Sequence, residues 1–135
     1  MTEKEIKNAI EYWKNVAEHD HKTMEYLFKG KEYSNTLFFG HIVLEKVLKG
    51  LFVKKLGEQP PFTHDLVRLE ELTGLGLSKK DIIFLNDVNE FNIRARYPEK
   101  KLAFYKKCTL KYTKENLEKI ENLYKNLCQK LKQKK

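Results

Sequence analysis

The sequence predicts an all-α fold, an up-and-down four-helix bundle with one or two additional short helices. Three observations predict it. Glycine and proline total nine residues, and residues 3–29 and 109–135 contain neither, so long segments lack the residues that break helices. Apolar side chains in those segments recur at alternating spacings of three and four, the period of one helical face. Apolar residues make up 41% of the chain and aromatics 12%, enough for one hydrophobic core in a single domain spanning residues 1–135.

The first helix starts after Thr2, an N-cap whose reciprocal capping-box partner is Glu5. Its seam reads Ile6, Ile10, Trp13, Ala17, Met24 and Leu27, with Asp20 in the seam position between Ala17 and Met24. Gly30 ends it, with a left-handed glycine expected to turn the chain back. The second helix spans about residues 32–56. Leu37, Leu44, Leu48 and Leu51 form its seam, Phe38, Val47 and Phe52 widen it, and His41 interrupts it. Phe38, His41, Glu45 and Lys49 step down one face as a polar ladder beside that seam. Gly57 stops the helix, and Pro60-Pro61 enforces an extended connection.

A short helix begins around Thr63-His64-Asp65-Leu66 and ends near Thr73, ahead of Gly74 and Gly76. Ser78 is the expected N-cap of a helix over about 79–93, which carries Ile82, Leu85, Val88, Asn89 and Asn92 along one side. Asparagines on a core-facing side suggest a polar site there. Arg94-Ala95-Arg96-Tyr97-Pro98 follows, with proline ending the helix. Residues 99–108 read either as loop or as a short turn. The last helix covers about 109–133, where Leu110, Thr113, Leu117, Ile120, Tyr124, Leu127 and Leu131 recur at three and four over three heptads.

Several function classes are excluded or disfavoured. No apolar run is long enough to cross a bilayer, so no membrane partner is expected. The opening Met1-Thr2-Glu3-Lys4-Glu5 lacks the order of a signal peptide, and a cytoplasmic protein is expected. Cys108 and Cys128, separated by roughly 30 Å if their helix is continuous, read as free thiols. No phosphate-binding glycine loop, HExxH motif or paired Cys/His ligand set occurs, so neither a metal nor another cofactor is expected. The net charge is +8, and the excess lies in residues 100–135, which carry 12 lysines against 3 glutamates. Such a stretch suits a phosphate backbone, an acidic partner or simple solvation. Lysines outnumber arginines 24 to 3, which favours general surface charge over bidentate recognition.

Candidate site residues are the ionisable groups that interrupt apolar faces. Asp20 lies ten residues before the turn at Gly30 and His41 eleven after it, so a helical hairpin brings them to similar height, with Glu45 one turn further along. A buried carboxylate needs a partner, and an Asp20–His41 contact is the expectation. It serves either an acid/base or nucleotide-contacting cluster or a satisfied polar pair that sets helix register. Arg94 and Arg96, beside the rigid Pro98, are placed to hold a phosphate or a carboxylate. Alternatively, one pairs with Asp20 or Glu45 and pins the connection. His64 reads as a helix-start residue packed against the bundle.

Taken together, Asp20, His41-x-x-x-Glu45-Lys46-x-x-Lys49, His64-x-Leu66 after a proline, and Arg94-x-Arg96-Tyr97-Pro98 resemble the HEPN family, over nearly the whole chain. The resemblance implies a helical bundle, commonly a homodimer, whose small members pair with a minimal nucleotidyltransferase as a toxin–antitoxin-like module. Other members bind nucleotides, and many are metal-independent ribonucleases with an arginine, then four to six intervening residues, then a histidine. This chain keeps the arginine region as Arg94 and Arg96, but Glu99, Lys100, Lys101, Leu102 and Ala103 stand where that histidine belongs. The implied role is therefore a binding module for a nucleotide or a protein partner, through Asp20, His41, Glu45, Arg94 and Arg96. The alternatives are a divergent ribonuclease, with Arg94, Arg96 and His41 or His64 as its catalytic residues acting on RNA, and a purely structural adaptor.

Overall fold

A computed structural model describes residues 1–133 as six helices, with no strand among them. They are α1 (Glu3–Lys29), α2 (Tyr33–Leu56), α3 (Leu66–Thr73), α4 (Lys79–Arg96), α5 (Pro98–Lys107) and α6 (Leu110–Lys132). Four are long and two short; α3 is a short helix that the sequence predicts, and α5 lies where the sequence left loop or short turn open. None is long and apolar enough to cross a membrane.

The helix starts follow local chemistry. Thr2 and Glu5 form the reciprocal capping box of α1. The side chains of Asp65, Ser78 and Thr109 accept from backbone N–H groups in the first turns of α3, α4 and α6. Each satisfies donors that a helix start otherwise leaves without partners.

Four local features differ from the sequence reading. Gly30 has φ −80°, and the left-handed residue of the α1–α2 turn is Lys31, at φ 62°. The residues after Pro98 form α5, because a proline at the first helical position forfeits no intrahelical bond. α4 runs on to Arg96, and Tyr97, extended at ψ 123°, separates it from α5. Leu110, expected in the α6 seam, is 54% exposed, so the buried stripe starts at Thr113.

Burial around α2 explains how the bundle closes. From Thr36 to Val53 this helix buries residues on every side, as a central rod contacted by α1, α3, α4, α5 and α6 must. Two glycines allow the close approaches. A Cβ on Gly40 would lie 2.5 Å from Cδ1 of Ile120, and one on Gly50 would lie 3.2 Å from Cβ of Trp13. Leu37, Leu44, Leu48, Leu66, Leu69, Leu85, Ile120 and Leu127 are fully buried around this rod, each burial contributing about 1.5–3 kcal/mol. The polar ladder of α2 therefore has to find partners inside protein, and it does so on the side facing α3 and α4.

Candidate functional site

His41, 1% exposed, uses both ring nitrogens. Its Nε2–H donates to the carbonyl of His64 at 2.7 Å, and Nδ1 accepts from the Asn92 amide at 3.2 Å. Burial lowers its pKa below the ordinary value, against the opposing influence of the His64 carbonyl and of Glu45. The result is a neutral imidazole that ties α2 to α4 and to the loop before α3.

One turn along, Glu45 is buried and doubly paired. One carboxylate oxygen accepts from Nδ1–H of His64 at 2.8 Å, the other from the Lys49 ammonium at 3.0 Å. Burial alone would raise its pKa; the hydrogen bonds from His64 and Lys49 outweigh that and hold it below the usual carboxylate value. Lys49 is itself buried, with its ammonium 5.7 Å from the Trp13 ring centroid.

His64 is the outlet of this network. Its side chain is 72% exposed, while its backbone is pinned by His41 and its ring by Glu45. The neighbouring residues are fixed too. Thr63 Oγ1 accepts from the Asp65 N–H, Asn89 Oδ1 accepts from the Leu66 N–H, and the Asn89 amide donates to Asp65 at 2.9 Å. With Nδ1–H committed to a buried carboxylate, Nε2 faces solvent without a partner among the described residues. A carboxylate-oriented imidazole of this kind can accept a hydrogen bond or move a proton at a defined point in space.

The ring borders a groove of about 330 Å³ lined by His41, His64, Asp65, Asn86, Asn89, Glu90, Asn92 and Ile93. A second groove of about 320 Å³, lined by Glu90, Arg94, Glu99, Lys100 and Lys107, lies on the other side of Glu90. Arg94 reaches Glu90 at 3.8 Å. Arg96 points elsewhere, with its guanidinium 5.6 Å from the ring centroid of Tyr97. No group of three His, Cys, Asp or Glu side chains among the described residues could hold a metal.

The structure therefore brings together His41 and Glu45, and sets Arg94 in the neighbouring groove. It does not join Asp20 to them. Asp20 is half-buried on α1, its pKa raised by burial against the charges of Lys46 and His19, and no hydrogen bond or ion pair links it to His41. Neither arginine pairs with Asp20 or Glu45. His64, read from sequence as packed against the bundle, instead exposes its ring. Asn89 and Asn92 prove to be the polar partners of the site, a role their placement on a core-facing side of the helix had signalled. Nothing in the local sequence signals that His64 and Glu45 meet, because 19 residues and a proline-bound loop separate them.

The HEPN domain family model matches residues 10–134 of the chain. No curated protein and no solved structure matches it.

Proposed function

The chain belongs to the HEPN domain family, and on that premise we propose that it is a homodimeric nucleotide-binding module that works with a minimal nucleotidyltransferase partner. The observation that carries the nucleotide reading is the pair of grooves on either side of Glu90. Asn86, with the oriented His64, offers donors and acceptors suited to a base edge. Arg94, Lys100 and Lys107 line the adjoining groove and suit phosphates, for which arginine supplies the fork and lysine point charge. Glu90, between the two, suits ribose hydroxyls. Dimerisation and the nucleotidyltransferase partner rest on family membership alone.

Calorimetry with ATP, GTP, AMP and GMP tests this reading. The expected result is saturable binding that weakens by about tenfold or more in Arg94→Ala, the size of a lost charge-assisted contact. Absence of binding at millimolar ligand overturns it.

One observation favours a second reading, a ribonuclease of divergent design. The free Nε2 of His64 is a defined proton-transfer atom in a chain that lacks the family's downstream histidine. There His64 would take the proton of an attacking 2′-hydroxyl while Arg94 or Arg96 holds the phosphate. RNA cleavage that His64→Ala and Arg96→Ala both abolish would support it. Intact RNA under conditions of demonstrated nucleotide binding excludes it.

A further inference from the structure

On the face of α2 turned toward α1 and α6, away from the grooves beside Glu90, the bundle holds a pocket of about 300 Å³. Its apolar lining is Ala17 from α1, Val47 from α2 and Leu131 from α6, all buried. Its flat wall is Tyr124. That ring is stacked on His21 at 4.5 Å between centroids and 12° between planes, and His21 is gripped by Glu121 at 2.8 Å and Glu25 at 3.0 Å. The aromatic wall is thus fixed from behind before anything enters. Around the mouth stand Lys14, Lys125 and Lys132, with Glu18 the opposing charge. None of the three lysines is engaged in an ion pair among the described residues.

We propose that this pocket is a binding site for a small organic anion with a flat apolar body. The body would lie against Tyr124 beside Leu131, and the acid group would meet the lysine mouth. The size supports the class, since about 300 Å³ is the lower end of small-molecule sites. So does the charge: three ammonium groups and one carboxylate around an apolar floor favour an anionic head over a neutral or cationic one. The site also gives a place to part of the lysine excess near the end of the chain, which the grooves beside Glu90 use only through Lys100 and Lys107. The proposal is independent of the nucleotide reading, because no residue is shared between the two sites.

The test uses 2-naphthoate as probe, with 2-naphthylmethanol as its neutral counterpart and octanoate as an anion without a flat body. Calorimetry of the full chain is expected to show one site for 2-naphthoate, with Kd of roughly 0.1 mM for a ligand of that size. Both comparison compounds bind at least about fivefold more weakly, and added salt weakens the naphthoate. The double variant Lys14→Ala/Lys125→Ala, at one half-buried and one exposed position, loses about tenfold in affinity with an unchanged circular dichroism spectrum. Location is read from Cys128, which lines the pocket and is half-buried. Bound naphthoate slows its alkylation by iodoacetamide, whereas Cys108, buried elsewhere, keeps its rate. No saturable binding at 1 mM probe overturns the proposal. So does equal binding of the neutral alcohol, or binding that leaves Cys128 alkylation unchanged. A functional failure of the nucleotide grooves would leave all of these readouts intact.

Discussion

Glu45 is 4% exposed, with Lys49 on one carboxylate oxygen and His64 on the other. Two buried charges cost several kcal/mol each to desolvate, and only complete pairing repays it. Lys49 therefore acts on His64 at one remove: it keeps Glu45 ionised, and Glu45 orients the ring. Lys49→Met should cost about 3 kcal/mol in urea unfolding, because it leaves a buried carboxylate short of a partner. Adding Glu45→Met should recover at least about 1 kcal/mol of that loss, since the two side chains act as one unit; strictly additive losses would contradict the coupling. At this scale the sequence is legible in part. The i, i+4 ladder of His41, Glu45 and Lys49 follows from helical spacing alone. The fourth member, His64, does not, because its meeting with Glu45 depends on the path of the loop between α2 and α3.

Helix limits were legible where a cap or a breaker is spelled out in neighbouring residues, as at Thr2, Gly57 and Ser78. They were not where two local solutions compete. Glycine is the usual residue for a left-handed turn after a helix, yet here Gly30 stays at φ −80° and Lys31 takes φ 62°. The backbone N–H of Glu32 reaches back to Leu27 and that of Lys31 to Phe28, so closing the turn needs the left-handed residue one place later. Lys31→Gly should therefore raise stability by about 0.5–1 kcal/mol, relieving a conformation that costs an L-residue roughly 1–2 kcal/mol. Gly30→Ala should be tolerated, since its added Cβ would meet only carbonyl oxygens at 3.4 Å or more. Thermal unfolding of both variants decides the matter, and the reverse order would restore the left-handed glycine. α5 is the parallel case: Pro98 after Tyr97 reads as a stop, although the same residue is also a good first position.

Across the whole molecule, side chains complete what the close backbone contacts begin. α1 and α6 both pack on α2, and His21 joins them to each other through Glu121 and the Tyr124 ring. The hydrogen bond to Glu121 raises its pKa above the ordinary 6.5 despite burial. Its charged form thus contributes stability that is fully present below pH 6.5, its value in the unfolded chain, and is lost as pH rises through the higher folded value. His41, lowered by burial, behaves oppositely: its contribution holds above 6.5 and fades as pH falls below it. Because His21→Gln leaves His41 in place, the two effects separate. The substitution should cost more stability at about pH 5.5 than at about pH 8.5, and a cost independent of pH would refute the clamp. By itself the sequence determined the helical class, the approximate limits of the four long helices, the polar ladder of α2 and the resemblance to a family, because each depends on spacing within one segment. The tertiary structure alone decided that Asp20 makes no hydrogen bond or ion pair with His41, that His64 is the exposed end of a buried network, and that α1, α2 and α6 enclose a lysine-rimmed pocket. These depend on how far each helix is rotated about its own axis when it packs, and no single helix encodes that angle.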